Sequence, residues 1–203
     1  MSLKRFLAMS WGTLPAEGTV GVETDWLDVA SLRVVSGHIW IGDPQFAWAE
    51  ANEGGGCVIE LPSGNYIVEA KGIAFGRPRF LRGSRFVSRV RVRQEGTQQP
   101  EVGDIVGDAG TDSGQIGIAD PIALKSSFDA VCGDDVDRAL DMLEKGIHSR
   151  IGIFCPARGR DDGRLVYLPS GFGDGGGPVV RLLNDHECVG LEHEFIPAGQ
   201  AFS

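Results

Sequence analysis

Glycine constrains this chain more than any other residue: it fills 30 of 203 positions. That is about twice the ~7% usual in globular proteins. Each glycine inside a helix costs roughly 1 kcal/mol relative to alanine. A helical bundle is therefore disfavoured, and strands joined by tight turns are expected. Hydrophobic residues make up 42% of the chain and charged residues 23%, the balance of a soluble globular protein. A chain of this length buries roughly 70% of its unfolded surface without disulfides. One compact domain over 1–203 is expected.

Period-two alternation and turn residues divide the chain. Residues 34–41 read as a strand ended by Gly42-Asp43-Pro44, and 45–52 as one or two helical turns. Segments 57–61 and 65–71 read as a hairpin across Pro62-Ser63-Gly64. Residues 86–93 alternate, with Val90 and Val92 on one face and Arg89, Arg91 and Arg93 on the other. A polar connector follows over 95–103. Further strands are expected at 114–118, 151–155 and 165–168, and 179–183 pairs with 188–196 as a hairpin across Asn184-Asp185. One helix stands out at 134–145. It has Asp134 or Asp135 as cap, Val136, Ala139, Leu140 and Leu143 on one face, and Gly146 as stop. It is expected to be the longest helix and the one inserted helix of a mainly β, β-rich α+β sandwich.

The two halves share a pattern. Ser36-Gly37-His38-Ile39-Trp40-Ile41-Gly42-Asp43-Pro44 aligns without a gap on Ser113-Gly114-Gln115-Ile116-Gly117-Ile118-Ala119-Asp120-Pro121, with six of nine positions identical. Leu61-Pro62-Ser63-Gly64 matches Leu168-Pro169-Ser170-Gly171. The spacing from the first serine to the second is 27 residues in one half and 57 in the other, which leaves room for the helix. An internal duplication into similar antiparallel β-units, about 33–93 and 110–196, is expected. Asp43 and Asp120 are expected to bond turn N–H groups where proline ends the strand.

The net charge of −9 makes the chain a poor partner for nucleic acid or an anionic membrane. One stretch runs the other way: Lys71, Arg77, Arg79, Arg82, Arg85, Arg89, Arg91 and Arg93 occur with no acid between them, leaving −17 on the remaining residues. This segment either carries a protein partner, over Arg77 to Arg93, or pairs with acidic surface elsewhere in the molecule. No run of ~18 apolar residues exists, so no membrane span is expected. Cys57, Cys132, Cys155 and Cys188 form no C-x-x-C pair, so reduced thiols in a cytoplasmic protein are expected, with no metal and no cofactor.

Gly171-Phe172-Gly173-Asp174-Gly175-Gly176 fits G-x-G-x-x-G, but Pro178 and a strand-like run follow where a dinucleotide fold needs a helix. Asp104, Asp108, Asp112 and Asp120 fall in one region with Ser113 and Gln115. Carboxylates on one loop suit a divalent cation or general acid–base work, and turn formation accounts for them as well. His193 is expected on the strand face opposite Glu192 and Glu194, which scatters potential metal ligands. No G-x-S-x-G, H-E-x-x-H or Walker A motif occurs.

Thr111-Asp112-Ser113-Gly114-Gln115-Ile116, Asp120-Pro121 and Ser170-Gly171-Phe172-Gly173-Asp174-Gly175 with Pro178-Val179 resemble an uncharacterised bacterial family. Its members carry Val-Asp-Ser-Gly-Gln and Thr/Ser-Gly-Tyr/Phe-Gly-Asp-Gly-Ser-Tyr-Pro-Val. The resemblance covers about 33–196, and Gly177 stands where the family has tyrosine. As a domain of unknown function, the family implies an architecture and no activity. The functional expectation is a non-enzymatic binding or interaction module, with Asp112, Ser113, Gln115, Asp120 and Asp174 as candidate binding residues. The alternative is a hydrolase-like enzyme with an Asp112/Asp120/Asp174 cleft.

Five glycines surround Asp174 between Gly171 and Gly177, so its carboxylate is expected to bond backbone N–H groups and fix that loop. Asp174→Ala should then cost roughly 1–3 kcal/mol in thermal unfolding. Unchanged melting in both Asp174→Ala and Asp174→Asn would remove the carboxylate from the loop's support.

Overall fold

A computed structural model describes residues 18–48, 56–75, 84–147, 151–157, 159–171, 175–197 and 199. The first half contains β1 (Gly21–Glu23), β2 (Leu27–Val34), β3 (His38–Gly42), a single 3-10 turn (Pro44–Phe46), β4 (Cys57–Glu60), β5 (Gly64–Phe75) and β6 (Ser84–Gln94). The second contains β7 (Glu101–Thr111), β8 (Gln115–Ala119), α1 (Pro121–Cys132), α2 (Val136–Gly146), β9 (Gly152–Phe154), β10 (Leu165–Pro169), β11 (Gly175–Asn184) and β12 (Glu187–Glu194). The fold is mainly β, with two antiparallel sheets and two helices.

The large sheet runs β1-β5-β6-β12-β11-β7, and β2 pairs with β5 beside β1. The small sheet runs β4-β3-β8-β10-β9. From either edge of the large sheet the order follows one plan. An edge strand turns into the small sheet (β2 into β3, β7 into β8), then a long strand (β5, β11), then its sequence neighbour (β6, β12). In the small sheet β3 and β8 lie side by side, with Ile41 opposite Ile118.

Alternation decides which layer each side chain joins. Ile39, Ile41, Ile59, Ile116, Ile118, Val166 and Leu168 point from the small sheet to Leu32, Val34, Tyr66, Val68, Val90 and Leu191 of the large one, forming the main core. Trp40, Leu165 and Tyr167 leave the opposite face and pack against Leu124, Phe128, Ala139 and Leu143 of the helices. The small sheet is thus covered on both faces, which is why β3 and β8 are almost wholly buried. Among the described residues no helix is long and apolar enough to cross a membrane.

Several expectations need correction. Residues 34–41 are not one strand: Gly37 turns the chain at φ 77°, and β2 and β3 belong to different sheets. Gly114 does the same between β7 and β8 at φ 70°. The strands around Pro62-Ser63-Gly64 are not a hairpin, because β4 pairs with β3 and β5 with β2 and β6. The expected helical turns over 45–52 reduce to Pro44–Phe46, with 49–55 outside the described residues. The helix at 134–145 appears as α2, capped by Asp135, but it is not the one inserted helix and not the longest. α1 precedes it and is 12 residues long against 11. The missed signal was Asp120-Pro121, an N-cap followed by proline at the first helical position.

The polar connector expected over 95–103 is shorter, because β7, an unexpected strand, begins at Glu101. Two other outlines hold. Val90 and Val92 are fully buried behind the outward arginines of β6. β11 and β12 form the expected hairpin, with Asp185 and His186 at φ 49° and 70° in its turn.

Gly117 pairs with Gly42 at the centre of the small sheet. A Cβ at Gly117 would lie 2.9 Å from Leu165 Cδ1, 3.0 Å from Trp40 Cζ3 and 3.2 Å from Pro44 Cβ. Gly117→Ala should overpack this site and cost about 1–3 kcal/mol in urea unfolding. A midpoint equal to wild type would mean that the helical layer shifts freely.

Candidate functional site

Two buried carboxylates, Asp43 and Asp120, sit where the central strands β3 and β8 end. Asp120 caps α1 through Oδ1, which accepts from the N–H groups of Ile122 (3.1 Å) and Ala123 (3.0 Å). Its Oδ2 accepts from Val35 N (2.7 Å) and Ser36 N (2.8 Å), in the β2–β3 turn of the other half. Asp43 mirrors it. Oδ1 accepts from Gln45 N (3.0 Å) and Ser113 Oγ (2.9 Å). Oδ2 accepts from Asp112 N (2.9 Å), Ser113 N (2.8 Å) and Thr111 Oγ1 (3.0 Å), at the β7–β8 turn. Each half therefore supplies the carboxylate that satisfies the other half's turn.

This arrangement places the expected site residues. Ser113 is a ligand of Asp43, and Gln115 N donates to Thr111 Oγ1 at 3.1 Å as β8 begins. Asp112 contributes its backbone, and its side chain is exposed. Asp120 is buried in another set of partners. Asp174 lies outside the described residues. Asp104 and Asp108 stand on β7, a strand, so the four aspartates do not share a loop. Among the described residues no group of three His, Cys, Asp or Glu side chains is placed to hold a metal ion.

A thiol and an imidazole come near the same charge, that of Asp108. Burial pushes Cys57 up to about 11, and Asp108 adds to the rise. At neutral pH it is a protonated thiol, a poor nucleophile. Burial lowers His193, against the opposing effects of its bond to Pro178 and the charge of Asp108. The Pro178 carbonyl can only accept, so Nδ1 carries the proton across their 3.0 Å bond. Nε2 is buried without a partner among the described residues. The ring of Phe195 meets His193 edge-on, with centroids 4.6 Å apart.

The outward face of the large sheet has a different chemistry. Glu69 is opposite Arg91 across β5 and β6, and one of its oxygens, Oε2, lies 2.7 Å from Nε of both Arg91 and Arg93. Its Oε1 receives Nη2 of Arg91 at 3.3 Å and of Arg93 at 3.4 Å. Burial pushes the Glu69 carboxyl up, but the bonds and charges of the two arginines outweigh it and hold it below its ordinary 4.5. Trp26 lies over Arg91, 4.1 Å from ring centroid to guanidinium carbon. Further along, Arg89 meets Glu23 at 3.5 Å, Glu192 at 3.1 Å and also Glu194, while Lys71 reaches Glu23 at 3.7 Å. Lys71, Arg89, Arg91 and Arg93 thus face acids from β1, β5 and β12. Arg77, Arg79 and Arg82 lie outside the described residues.

Sequence reasoning missed the roles of Trp26, Glu69 and Thr111. The first two depend on strand pairing, which one strand's alternation does not reveal. Thr111 had a signal, its place in Thr-Asp-Ser-Gly before a strand, where a hydroxyl bonds nearby N–H groups.

No protein-family model matches the chain, and neither does any curated protein or solved structure.

Asp43→Ala should leave the buried donors of Asp112, Ser113 and Thr111 unpaired, at about 1–3 kcal/mol for each group. Asp112→Ala should stay within about 0.5 kcal/mol of wild type. Denaturant melts of the two variants check this; equal losses would mean that the Asp112 side chain carries the turn.

Proposed function

We propose that this protein is a non-enzymatic binding module that engages a protein partner through the outward face of the large sheet. The observation that carries this reading is the Arg91–Glu69–Arg93 cluster. Two guanidiniums share one carboxylate at a sheet surface, and both line an open groove that no acid lines among the described residues. Side chains held by such a partner are preorganised, which lowers the entropy cost of binding. The hydrolase-like alternative loses support because the Asp120 carboxylate is committed to four backbone N–H groups.

We also infer that the two β-units arose by duplication. Supporting this are the palindromic strand order, the left-handed Gly37 and Gly114, and the matched bonds of Asp43 and Asp120.

The full chain is expected to leave ester, phosphoester, peptide and glycoside substrates intact, as followed by mass spectrometry. Turnover that disappears in Asp112→Ala would replace the binding reading with the hydrolase one.

A further inference from the structure

The face that carries Arg91 and Arg93 is not flat. After β6 the chain rises through Gly96, Thr97, Gln98 and Gln99 before entering β7, and this loop walls an open groove of about 440 Å³. Ile67, Arg91 and Arg93 line its sheet side. Arg93 is tied at three nitrogens: Nε and Nη2 to Glu69, and Nη1 to the Thr97 carbonyl at 2.6 Å. That last bond anchors the loop to the sheet. Arg91 uses Nε and Nη2, and its Nη1 makes no hydrogen bond among the described residues. Trp26 and Glu69 fix the plane of that guanidinium, so its spare N–H groups have a set direction.

The loop carries an independent mark. Gln99 has φ 47°, a left-handed conformation that a non-glycine residue adopts at a cost. Such outliers concentrate at ligand clamps, where the surrounding structure holds them in place. The side chains of Gln98 and Gln99 are exposed at the groove wall, and each amide offers a donor and an acceptor.

We propose that this groove recognises a carboxylate of an acidic peptide segment in a protein partner, with the spare N–H groups of Arg91 as the fork and the Gln98 and Gln99 amides as flanking contacts. The inference rests on the binding reading above and adds the chemistry of the partner. Guanidinium matches a carboxylate with two parallel hydrogen bonds. Arg91 and Arg93 line the groove, and no acid does among the described lining residues, so the groove favours an anion. Glu69, with Asp28 and Glu192 in register beside this pair, makes a singly charged carboxylate a better match than a phosphate dianion. The open form of the groove suits an extended peptide lying across it, and Ile67 offers an aliphatic floor between the polar contacts.

The test uses the full chain and three fluorescein-labelled octapeptides, of glutamate, glutamine and phosphoserine, read by fluorescence anisotropy at low salt. Octaglutamate should bind saturably, octaglutamine at least tenfold more weakly, and octaphosphoserine no more tightly than octaglutamate. Gln98→Glu places a carboxylate at the groove wall on an exposed loop, so it should weaken octaglutamate binding about tenfold without changing the melting temperature. Arg91→Lys keeps the charge and removes the fork, and should also weaken binding. Equal affinity for octaglutamate in wild type and Gln98→Glu would overturn the proposal, as would tighter binding of octaphosphoserine. Absence of octaglutamate binding while other peptides bind would overturn this inference and leave the binding module standing. Substrate turnover would overturn the module itself.

Discussion

The exchange of carboxylates between the two halves is the constraint on which the rest of the structure depends. Two edge strands of the large sheet, β2 and β7, must each leave that sheet, turn sharply at a left-handed glycine and enter the centre of the small sheet. The turn exposes backbone donors where no strand partner is available. An unpaired buried donor costs roughly 1–3 kcal/mol, so the turn needs an acceptor fixed nearby. Asp43 and Asp120 supply it from the opposite half, at the end of the strand that lies beside the turning one. Their second oxygens start the 3-10 turn and α1. Sheet crossing, central strand pairing and helix initiation thus share two side chains.

The charged face follows a different logic. The basic segment is concentrated on one strand, and its neighbours answer it with glutamates drawn from other parts of the chain. These side chains are half-buried or buried, so the cost of removing them from water offsets much of their attraction. Glu69 is nearly buried and serves two guanidiniums, so its removal would leave both without their shared counter-charge. The result is a surface whose side chains are held in position even where their total contribution to stability is modest.

How much of this was legible depends on whether the information was local. The β-rich composition, the outward arginines of β6, the β11–β12 hairpin and the N-cap of α2 are local, and all were readable from spacing, whereas the expected stop Gly146 is the last helical residue and Ile147 caps the end. The assignment of β4 and β5 to different sheets is not local: Pro62-Ser63-Gly64 has the chemistry of a hairpin turn, and only the pairing of each strand elsewhere decides against one. β7 was hidden because Gly103, Gly107 and Gly110 erase its apolar alternation. A Cβ at Gly107 would stand 3.3 Å from Cβ and Sγ of Cys57 and crowd that side chain. α1 was obscured by Lys125-Ser126-Ser127, although its cap was in plain view. For the site, the two Asp-Pro segments marked both buried aspartates, but the sequence could not say that each carboxylate reaches across to the other half of the chain.

That reach has a kinetic consequence. The bonds from Asp120 to Val35 and Ser36 join residues 85 and 84 positions apart, and those from Asp43 to Asp112 and Ser113 join residues 69 and 70 apart. Loop closure must be achieved before such contacts return any energy, so chains rich in them fold slowly. Neither turn is satisfied until β3 and β8 lie side by side. The two halves are therefore bound into one late event on the folding path, and an emerging N-terminal half waits with open donors until residue 120 has been synthesised.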